Sequence, residues 1–293
     1  MPQPHERGKP AAPGAASQRV PLTGRAEFSS LAGMSYRFAL ITGATSGIGE
    51  ALAKALPAET GLLLTGRDAE RLASLKAELG EGNRRVETLA ADLARDAGRD
   101  AVIAAAQELP LDLLINNAGT GQIGPVLEIP AEREREVAEV NVVAPVVLTR
   151  ALLPGMLERA RSERRRGGLI VVASIMAFQP APMMATYAAS KAFDLHYAEA
   201  LAAELSGTPI DVLALCPGGT RTRFGARAGI HAARSSGWDS PERVAREALA
   251  ALGQRDVHVV GGRNRLVTSV PRFLPRRTVT AIFRRALSGL GEA

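Results

Sequence analysis

Cysteine, histidine and aromatic residues are scarce in this chain, and each shortage excludes a class of protein. The single cysteine, Cys216, rules out a disulfide within the chain and fits a reducing compartment. Aromatic residues make up 4% of the sequence, so stacking surfaces for nucleic-acid bases are not expected. The four histidines form no spaced cluster with cysteine, aspartate or glutamate, and we therefore predict no metal site.

Long apolar runs are also lacking. No stretch approaches the about 18 consecutive apolar residues that a membrane span requires, and residues 1–34 contain no continuous apolar segment typical of a secretory signal. That opening segment is rich in Pro, Gly, Ala, Ser and Arg, so we predict a disordered extension. Met34 precedes the first apolar run, and translation starting there is a hypothesis that the intact mass of the natively expressed protein would test.

The chain does have positive charge and enough apolar residues for a large core. With 46% hydrophobic residues in 293 positions, its length suits one α/β domain, which we place at residues 35–262. The net charge of +6 comes from arginines scattered along the chain, which favours anionic ligands or surfaces. We expect no nucleic-acid partner and a cytoplasmic location, with the inner membrane surface as the alternative.

Short apolar runs alternate with longer helical patterns from residue 36 onward. Such alternation is typical of βαβ units and predicts a Rossmann-type, doubly wound α/β fold with a parallel sheet of about seven strands. Between the strands, Asp68 is expected to cap one helix, and Ser240 followed by Pro241 to begin another. The predicted strands are the runs 37–43, 61–67, 84–92, 111–119, 168–174, 210–218 and 257–262.

A glycine cluster follows the first predicted strand. In TGATSGIGE, Gly43, Gly47 and Gly49 precede a helical pattern that begins at Glu50. Glycine permits the tight turn, lets backbone N–H groups approach a pyrophosphate and allows helix and strand to pack closely. Because the cluster lies between a strand and a helix, it predicts a dinucleotide-binding loop.

The end of the second strand bears on the choice between NAD and NADP. Position 66 is glycine, where a carboxylate could accept hydrogen bonds from both ribose hydroxyls of NAD, and Arg67 follows it. A guanidinium there can form a bidentate pair with a 2′-phosphate, so we expect NADP(H), with NAD(H) as the alternative. Arg67 could equally be an exposed arginine near a helix cap.

Two further strand ends would border such a cofactor. Asp92 ends the third strand, where its side chain could reach the adenine amino group. NNAG, residues 116–119, ends the fourth strand, and there Asn116 is expected to tie backbone groups together. Alone, either could be an ordinary strand-to-loop turn.

One of the three tyrosines, Tyr187, lies four positions before Lys191 in ATYAASKAF. The stretch contains no glycine or proline and predicts a helix, on which positions i and i+4 share a face. An ammonium beside a phenol favours the phenolate, so we expect the pKa of Tyr187 to fall toward the working range of a proton donor. For the pair alone, a tyrosine packed on a core beside a solvated lysine is the alternative.

Six motifs occur in the order and approximate spacing of the short-chain dehydrogenase/reductase family, and the chain resembles its compact single-domain branch. They are TGATSGIG, NNAG, Asn141 in EVNVVAPVVLT, Ser174 in VVASIMAF, YAASK and CPGGTRT. The resemblance covers about residues 36–260 and implies an NAD(P)-dependent oxidoreductase that forms homodimers or homotetramers. The chain is most similar to bacterial members of broad or unassigned specificity, with some likeness to hydroxysteroid and ketoacyl reductases.

The resemblance implies a role for each catalytic residue. Tyr187 would donate a proton to the substrate carbonyl oxygen, and Ser174 would hydrogen-bond the same oxygen. Lys191 would lower the pKa of Tyr187 and hold the nicotinamide ribose, while Asn141 would hold a water for proton resupply. The other implied cofactor-binding residues are Gly43, Thr45, Ser46, Gly47, Ile48, Gly49, Arg67, Asp92, Leu93, Asn117, Ala118, Gly119, Pro217, Gly218, Thr220 and Thr222.

The segment between Ser174 and Tyr187 is dominated by Met, Phe, Ala and Pro. Flexible methionines suit an apolar pocket of loose shape, although core packing would use the same residues. The expected pocket residues are Met176, Phe178, Met183 and Met184.

The segment 220–239 follows the last motif and would cover the site as a mobile lid. Its arginines at 221, 223 and 227 could attract an anionic acyl carrier, or simply face solvent.

The tail, residues 263–293, is basic and amphipathic. Between positions 264 and 290 apolar residues alternate with arginines, and Pro271 and Pro275 divide the stretch. Such a segment can lie on an anionic membrane surface, or it could cover the domain or a second subunit.

These patterns together predict an NADP(H)-dependent oxidoreductase acting on a lipophilic carbonyl or alcohol, with reduction as the expected direction. One alternative is an NAD-linked alcohol dehydrogenase of the same family. The other is a catalytically idle dinucleotide-sensing or scaffold protein at a membrane surface.

Overall fold

The computed structural model describes residues 36–229 and 238–288, and the structural statements below concern those residues. The predicted disordered extension, residues 1–34, lies outside them with the proposed start at Met34. Part of the predicted lid, residues 230–237, lies outside them as well.

Seven parallel strands form a single sheet, which confirms the predicted fold class. The strands are β1 (Phe38–Thr42), β2 (Gly61–Gly66), β3 (Val86–Ala90), β4 (Leu113–Asn116), β5 (Gly167–Val172), β6 (Ile210–Cys216) and β7 (Val257–Val259). Their order is β3-β2-β1-β4-β5-β6-β7. The order reverses between β1 and β4, and a ligand cleft is expected beyond the carboxyl ends of the strands at that point.

The described residues form ten α-helices, and those on either side of the sheet bury apolar side chains against it. They are α1 (Gly47–Ala55), α2 (Ala69–Gly80), α3 (Asp96–Gln107), α4 (Ala131–Ala138), α5 (Ala144–Ser162), α6 (Ala185–Glu204), α7 (Arg223–Arg227), α8 (Pro241–Ala251), α9 (Gly262–Ser269) and α10 (Arg276–Ser288). One core joins α1, α2 and α8 to the sheet, and Leu52, Leu72 and Val244 belong to it. The opposite core holds α3, α5 and α6, with Val102 and Leu148.

The helix starts follow the predicted caps, with one difference. Asp68 Oδ1 accepts a hydrogen bond from Arg71 N at 2.9 Å, and Ser240 Oγ accepts one from Arg243 N at 3.2 Å. The first helix begins at Gly47, a turn earlier than the predicted Glu50. The glycines lower helix propensity in the sequence, but here they form the first helical turn beneath the cleft.

Within the described residues one helical stretch, Ala131–Ser162, is long and apolar enough to cross a membrane by composition. In this fold it consists of α4, a π-helical turn (Glu139–Val143) and α5. Leu148, Leu152 and Met156 on α5 are buried against the sheet and α3. Its apolar face is therefore part of the domain core.

Candidate active site

A cavity of about 360 Å³ lies at the carboxyl ends of the strands, where the strand order reverses. It extends from the end of β2 past the glycine loop to Tyr187 and Lys191 on α6. The predicted cofactor residues along it are Gly43, Thr45, Ser46, Gly47, Ile48, Arg67, Asp92, Leu93, Asn117, Ala118, Gly119, Pro217, Gly218, Thr220 and Thr222. Gly49 does not line the cavity and is buried in the first turn of α1.

The glycine loop has a shape that other residues could not adopt. Gly43 and Gly47 have φ angles of 65° and 60°, which L-residues rarely take. A Cβ on Gly49 would lie 2.5 Å from both Gly43 O and Asn117 Nδ2. Because the Ser46 side chain makes no capping bond, it leaves the first N–H groups of α1 to an anionic group in the cavity. This part of the site fits the diphosphate of a dinucleotide.

Asn117, and not the predicted Asn116, ties the strand ends together. Asn117 Nδ2 donates to Thr42 O at 2.8 Å and to Gly43 O at 3.2 Å, which joins the segment after β4 to the segment after β1. Asn116 Nδ2 instead donates to Thr149 Oγ1 on α5 at 2.9 Å. Asn116 is still within β4, so its side chain belongs to the helix-facing side, and only the next residue turns over the glycine loop.

Arg67 lies at the adenosine end of the cavity, as expected from its place after β2. Its side chain is 54% exposed, and its Nη1 contacts Glu136 Oε1 at 2.7 Å. A 2′-phosphate at this position would compete with Glu136 for the guanidinium.

Arg223 is a second cation beside the glycine loop, and sequence reasoning treated it only as a lid arginine. Its Nη2 donates to Thr45 O at 2.6 Å, and its Nη1 lies 3.8 Å from Asp68 Oδ2. The two residues Arg223 and Thr45 are 178 positions apart, so local patterns carry no signal of this contact.

Tyr187, Lys191 and Ser174 converge at the other end of the cavity. Tyr187 and Lys191 lie on α6 as predicted, and Ser174 follows β5. Ser174 Oγ accepts a hydrogen bond from Met176 N at 3.1 Å, so its own O–H is left to donate into the site. Phe224 on α7 covers Tyr187, with the ring centroids 5.3 Å apart.

The Lys191 ammonium has a partner that sequence reasoning did not identify. Its Nζ contacts Asp194 Oδ2 at 2.9 Å and donates to Val172 O at 2.8 Å. Both side chains are almost completely buried. The spacing i, i+3 was visible in the sequence, but an aspartate after a helical lysine is usually read as an exposed surface pair.

The expectation that Lys191 would lower the pKa of Tyr187 below its ordinary value is wrong for this structure. Burial of the phenol raises the pKa, Lys191 and a hydrogen bond from Ser174 oppose that rise, and Asp194 adds to it. The net direction is upward. Burial would lower the pKa of Lys191, yet Asp194 and Tyr187 raise it above its ordinary value, so the lysine remains an ammonium.

Asn141 lies beneath the site and is completely buried in the π-helical turn between α4 and α5. Its Oδ1 accepts from Thr120 N at 2.9 Å, while its Nδ2 donates to Thr120 O and to Ser190 Oγ at 2.9 Å each. Ser190 Oγ in turn donates to Tyr187 O at 2.7 Å. The side chain thus fixes the loop at the cavity floor to the helix that carries the tyrosine. π-helical turns of this kind are frequent at functional sites.

The structure brings only part of the predicted substrate pocket together. Met176 and Met184 line the cavity, and Phe224 joins them. Phe178 is not along the cavity and packs against the core under β5. Met183 is not along it either, and its carbonyl accepts a hydrogen bond from Gly124 N at 2.9 Å. The 3-10 turn Ile175–Phe178 sends its side chains in different directions, which the composition of the segment does not reveal.

Metal-ligating and thiol groups play no visible part in this site. Over residues 36–229 and 238–288, no three His, Cys, Asp or Glu side chains are grouped so that they could hold a metal ion. Cys216 at the end of β6 is buried, and burial raises the pKa of its thiol to about 12.

Comparisons with known proteins agree with the site. A family model described as short chain dehydrogenase matches residues 37–231. Over 193 residues the chain is 39% identical to a short chain dehydrogenase of Pseudocercospora fijiensis, covering 64% of this chain but only 61% of that longer protein. Over 225 residues it is 40% identical to the 1-deoxy-11-beta-hydroxypentalenate dehydrogenase of Streptomyces exfoliatus, covering 74% of this chain and 80% of that protein.

A solved structure shares the architecture as well. The short-chain dehydrogenase from Sphingobium yanoikuyae, in complex with NADPH, superimposes with a TM-score of 0.69 at 33% identity, covering 76% of this chain and 86% of that one. The predicted family is confirmed, and the chain belongs to the short-chain dehydrogenase/reductase family of NAD(P)-dependent oxidoreductases.

Proposed function

We propose that this protein is an NADP(H)-dependent reductase of a lipophilic carbonyl compound. The observation that carries the proposal is the convergence of Tyr187, Ser174 and Lys191 at one end of a cavity that has the glycine loop and Arg67 at the other. A protein that only sensed or bound a dinucleotide would need the glycine loop but no proton donor.

The residues divide the chemistry of reduction between them. When bound, the reduced nicotinamide supplies a hydride to the carbonyl carbon. Ser174 donates a hydrogen bond to the carbonyl oxygen, and Tyr187 transfers its phenolic proton to that oxygen as negative charge develops there. The phenolate that remains on Tyr187 faces the Lys191 ammonium, which stabilises it until a proton returns from solvent.

The preference for NADP(H) is supported by charge at the adenosine end. Arg67 can exchange its Glu136 partner for a 2′-phosphate. No carboxylate stands at position 66, where NAD-binding relatives could use one.

The proposed direction and substrate class are supported by the residues at the other end of the cavity. Burial raises the pKa of Tyr187, which favours the protonated phenol, and reduction is the direction that uses this proton. Met176, Met184 and Phe224 offer an apolar surface to the substrate.

A carbonyl panel with a tyrosine variant tests the function. Purified protein is assayed with NADPH and with NADH against lipophilic ketones and aldehydes, and Tyr187→Phe is compared with Tyr197→Phe on the same helix. We expect Tyr187→Phe to lose about 100-fold or more in kcat and Tyr197→Phe to keep its rate. Full turnover in Tyr187→Phe would refute the mechanism. A preference for NADH would favour the NAD-linked dehydrogenase, and absence of both binding and turnover would favour the idle scaffold.

The proposal includes a cytoplasmic location at the inner membrane surface, through the tail face. We define this face as Leu266, Phe273, Ile282 and the arginines between 263 and 285. The three apolar side chains are 66%, 86% and 52% exposed, and residues 263–288 contain seven arginines and no Asp or Glu. Exposed apolar groups surrounded by positive charge alone match an anionic bilayer.

The tail also covers part of the domain. Contact with a membrane surface and coverage of the domain, the two alternatives drawn from the sequence, are therefore compatible. On α10, Val279 is buried, and Phe283 packs against the cluster that contains Met184. The inward side of α10 therefore lies next to the wall of the substrate cavity, while Ile282 on the same helix stays exposed.

The proposal also includes a homodimer or homotetramer. Sedimentation velocity at several protein concentrations tests this assembly, and a persistent monomer would contradict it.

A further inference from the structure

We propose that Asp194 is a positioning residue for this reaction, because it anchors the Lys191 ammonium and keeps the neighbouring Tyr187 phenol in its protonated form. This inference rests on the proposed function and goes beyond it, since it assigns a residue that favours reduction over oxidation. Asp194 contacts neither the substrate nor the cofactor in this assignment and acts through Lys191.

The first support is the geometry of α6. Tyr187, Lys191 and Asp194 follow one another at spacings of four and three residues, which places all three on one face of the helix. Lys191 Nζ lies 2.9 Å from Asp194 Oδ2, and the two side chains are 6% and 2% exposed. Val172 O accepts a further hydrogen bond from the same Nζ at 2.8 Å. The ammonium is thus held at a fixed point beside the cavity.

The second support is the charge balance of this buried group. An isolated ion is expensive to bury, and a close partner of opposite charge offsets much of that cost. Burial raises the pKa of Asp194, and the Lys191 ammonium opposes that rise. With the carboxylate and the ammonium both charged, the group is neutral overall while Tyr187 keeps its proton. Loss of that proton would leave one uncompensated negative charge in a buried site, so the phenol is favoured.

The charge balance of this buried group depends on three residues of α6, Tyr187, Lys191 and Asp194. Among the described residues, the other groups that act on the pair or on the phenol are the Ser174 hydroxyl after β5 and the Cys216 thiol at the end of β6. The thiol is neutral, because burial raises its pKa to about 12. Without Asp194, the only anionic partner left for Lys191 in this group would be a Tyr187 phenolate.

The test is an ultraviolet titration of tyrosine ionisation in the full chain without cofactor. The signal of Tyr187 is obtained by subtracting the titration of Tyr187→Phe, which removes the contributions of Tyr36 and Tyr197. In Asp194→Asn we expect Tyr187 to ionise about one pH unit lower or more, a roughly tenfold larger phenolate fraction at a given pH. Asp194→Glu keeps the charge and should titrate close to the original protein.

A second readout is the pH profile of carbonyl reduction. The rate requires the protonated phenol, so its decline at high pH should begin at lower pH in Asp194→Asn than in the original protein or Asp194→Glu. If Asp194→Asn does not fold, Asp194→Leu supplies an uncharged side chain of similar size for both measurements. An unchanged or upward-shifted Tyr187 titration in the uncharged variants would overturn the proposal. The titration needs no turnover, so it decides the role of Asp194 even if the proposed reductase activity is not found.

Discussion

The ring of Phe224 lies over the ring of Tyr187, with centroids 5.3 Å apart and planes tilted by 42°. Phe224 belongs to α7 and Tyr187 to α6, so the contact closes the cavity between two separate elements. A Cβ at Gly121 would lie 2.9 Å from the Tyr187 ring and 3.0 Å from Phe224, so the loop after β4 packs tightly against both.

Removing the Phe224 ring should weaken substrate binding more than catalysis. We expect Phe224→Ala to raise the KM of a lipophilic carbonyl about tenfold, because a ring that buries apolar substrate surface is lost, with a smaller change in kcat. Steady-state kinetics measures both. Phe193→Ala is the matched control, since Phe193 stacks on Tyr197 away from the cavity, and it should leave KM unchanged. A loss confined to kcat would contradict this role for Phe224.

Cofactor preference should depend on Arg67. We expect Arg67→Asp to weaken NADPH binding about tenfold or more while NADH binding changes little, because only NADPH carries the 2′-phosphate. Fluorescence titration with each nucleotide gives the two affinities. Arg133 contacts the same Glu136 at 3.0 Å but does not line the cavity, so Arg133→Ala should preserve the preference. Equal losses of affinity for NADPH and NADH in Arg67→Asp would contradict recognition of the 2′-phosphate and indicate a structural role for Arg67.

Stability in acid should depend on Glu247. Burial raises the pKa of Glu247, but hydrogen bonds from His258, Arg243 and Gly261 outweigh it, and the net direction is downward. A lowered folded-state pKa contributes stability above the ordinary glutamate pKa of about 4.3, and that contribution is lost as the pH falls through the folded value. Glu247→Gln should therefore lower Tm at pH 7, and its difference from the original protein should shrink in acid.

Thermal unfolding across this pH range measures the effect. Glu242→Gln, an exposed carboxylate on the same helix, is the control and should leave the Tm profile unchanged. A constant Tm difference for Glu247→Gln at every pH would show that packing, and not charge, explains the loss.

The tail face should bind anionic vesicles. We expect sedimentation of the full chain with phosphatidylglycerol-containing vesicles but not with phosphatidylcholine alone, and binding should weaken as salt rises. Phe273→Ser with Ile282→Ser should reduce binding about tenfold or more, because exposed apolar groups insert into the interface. Point substitutions are preferable to deletion, since deletion would uncover the side chains beneath Val279 and Phe283.

A variant that loses positive charge elsewhere distinguishes vesicle binding by the tail face from binding by the net positive charge of the protein. Arg161→Gln with Arg164→Gln removes two positive charges between the last turn of α5 and the start of β5 at Gly167. Vesicle binding should remain in that variant. Loss of binding in that variant, with binding retained in Phe273→Ser with Ile282→Ser, would reduce the interaction to net charge alone.

The sheet and the catalytic motifs could be predicted because each is a local pattern. Each strand is a short apolar run, and Tyr187 and Lys191 are separated by one helical turn. The contact of Arg223 with Thr45 joins distant parts of the chain, and no periodicity records it. The pKa of Tyr187 could not be predicted from its neighbour either, because the outcome depends on burial and on Asp194 as well as on Lys191.

Two predictions failed by a single position in the chain, and they show a second limit of sequence analysis. Asn116 and Asn117 are equally suited by type to tie the strand ends, and only the exact end of β4 decides which one turns toward the glycine loop. The same holds for Met183 and Met184, of which only the second faces the cavity. Sequence patterns locate such sites well but assign faces poorly where a strand or helix ends.

Phe283 packs against the same small cluster as Met176, Met184 and Tyr187, yet it lies far beyond residues 37–231, the part of the chain that the family model describes. Relatives can therefore keep every catalytic motif and still differ in the wall that meets the substrate, through changes near the end of the chain. Before a substrate is inferred for one relative from another, the sequences of this last helix should be compared first.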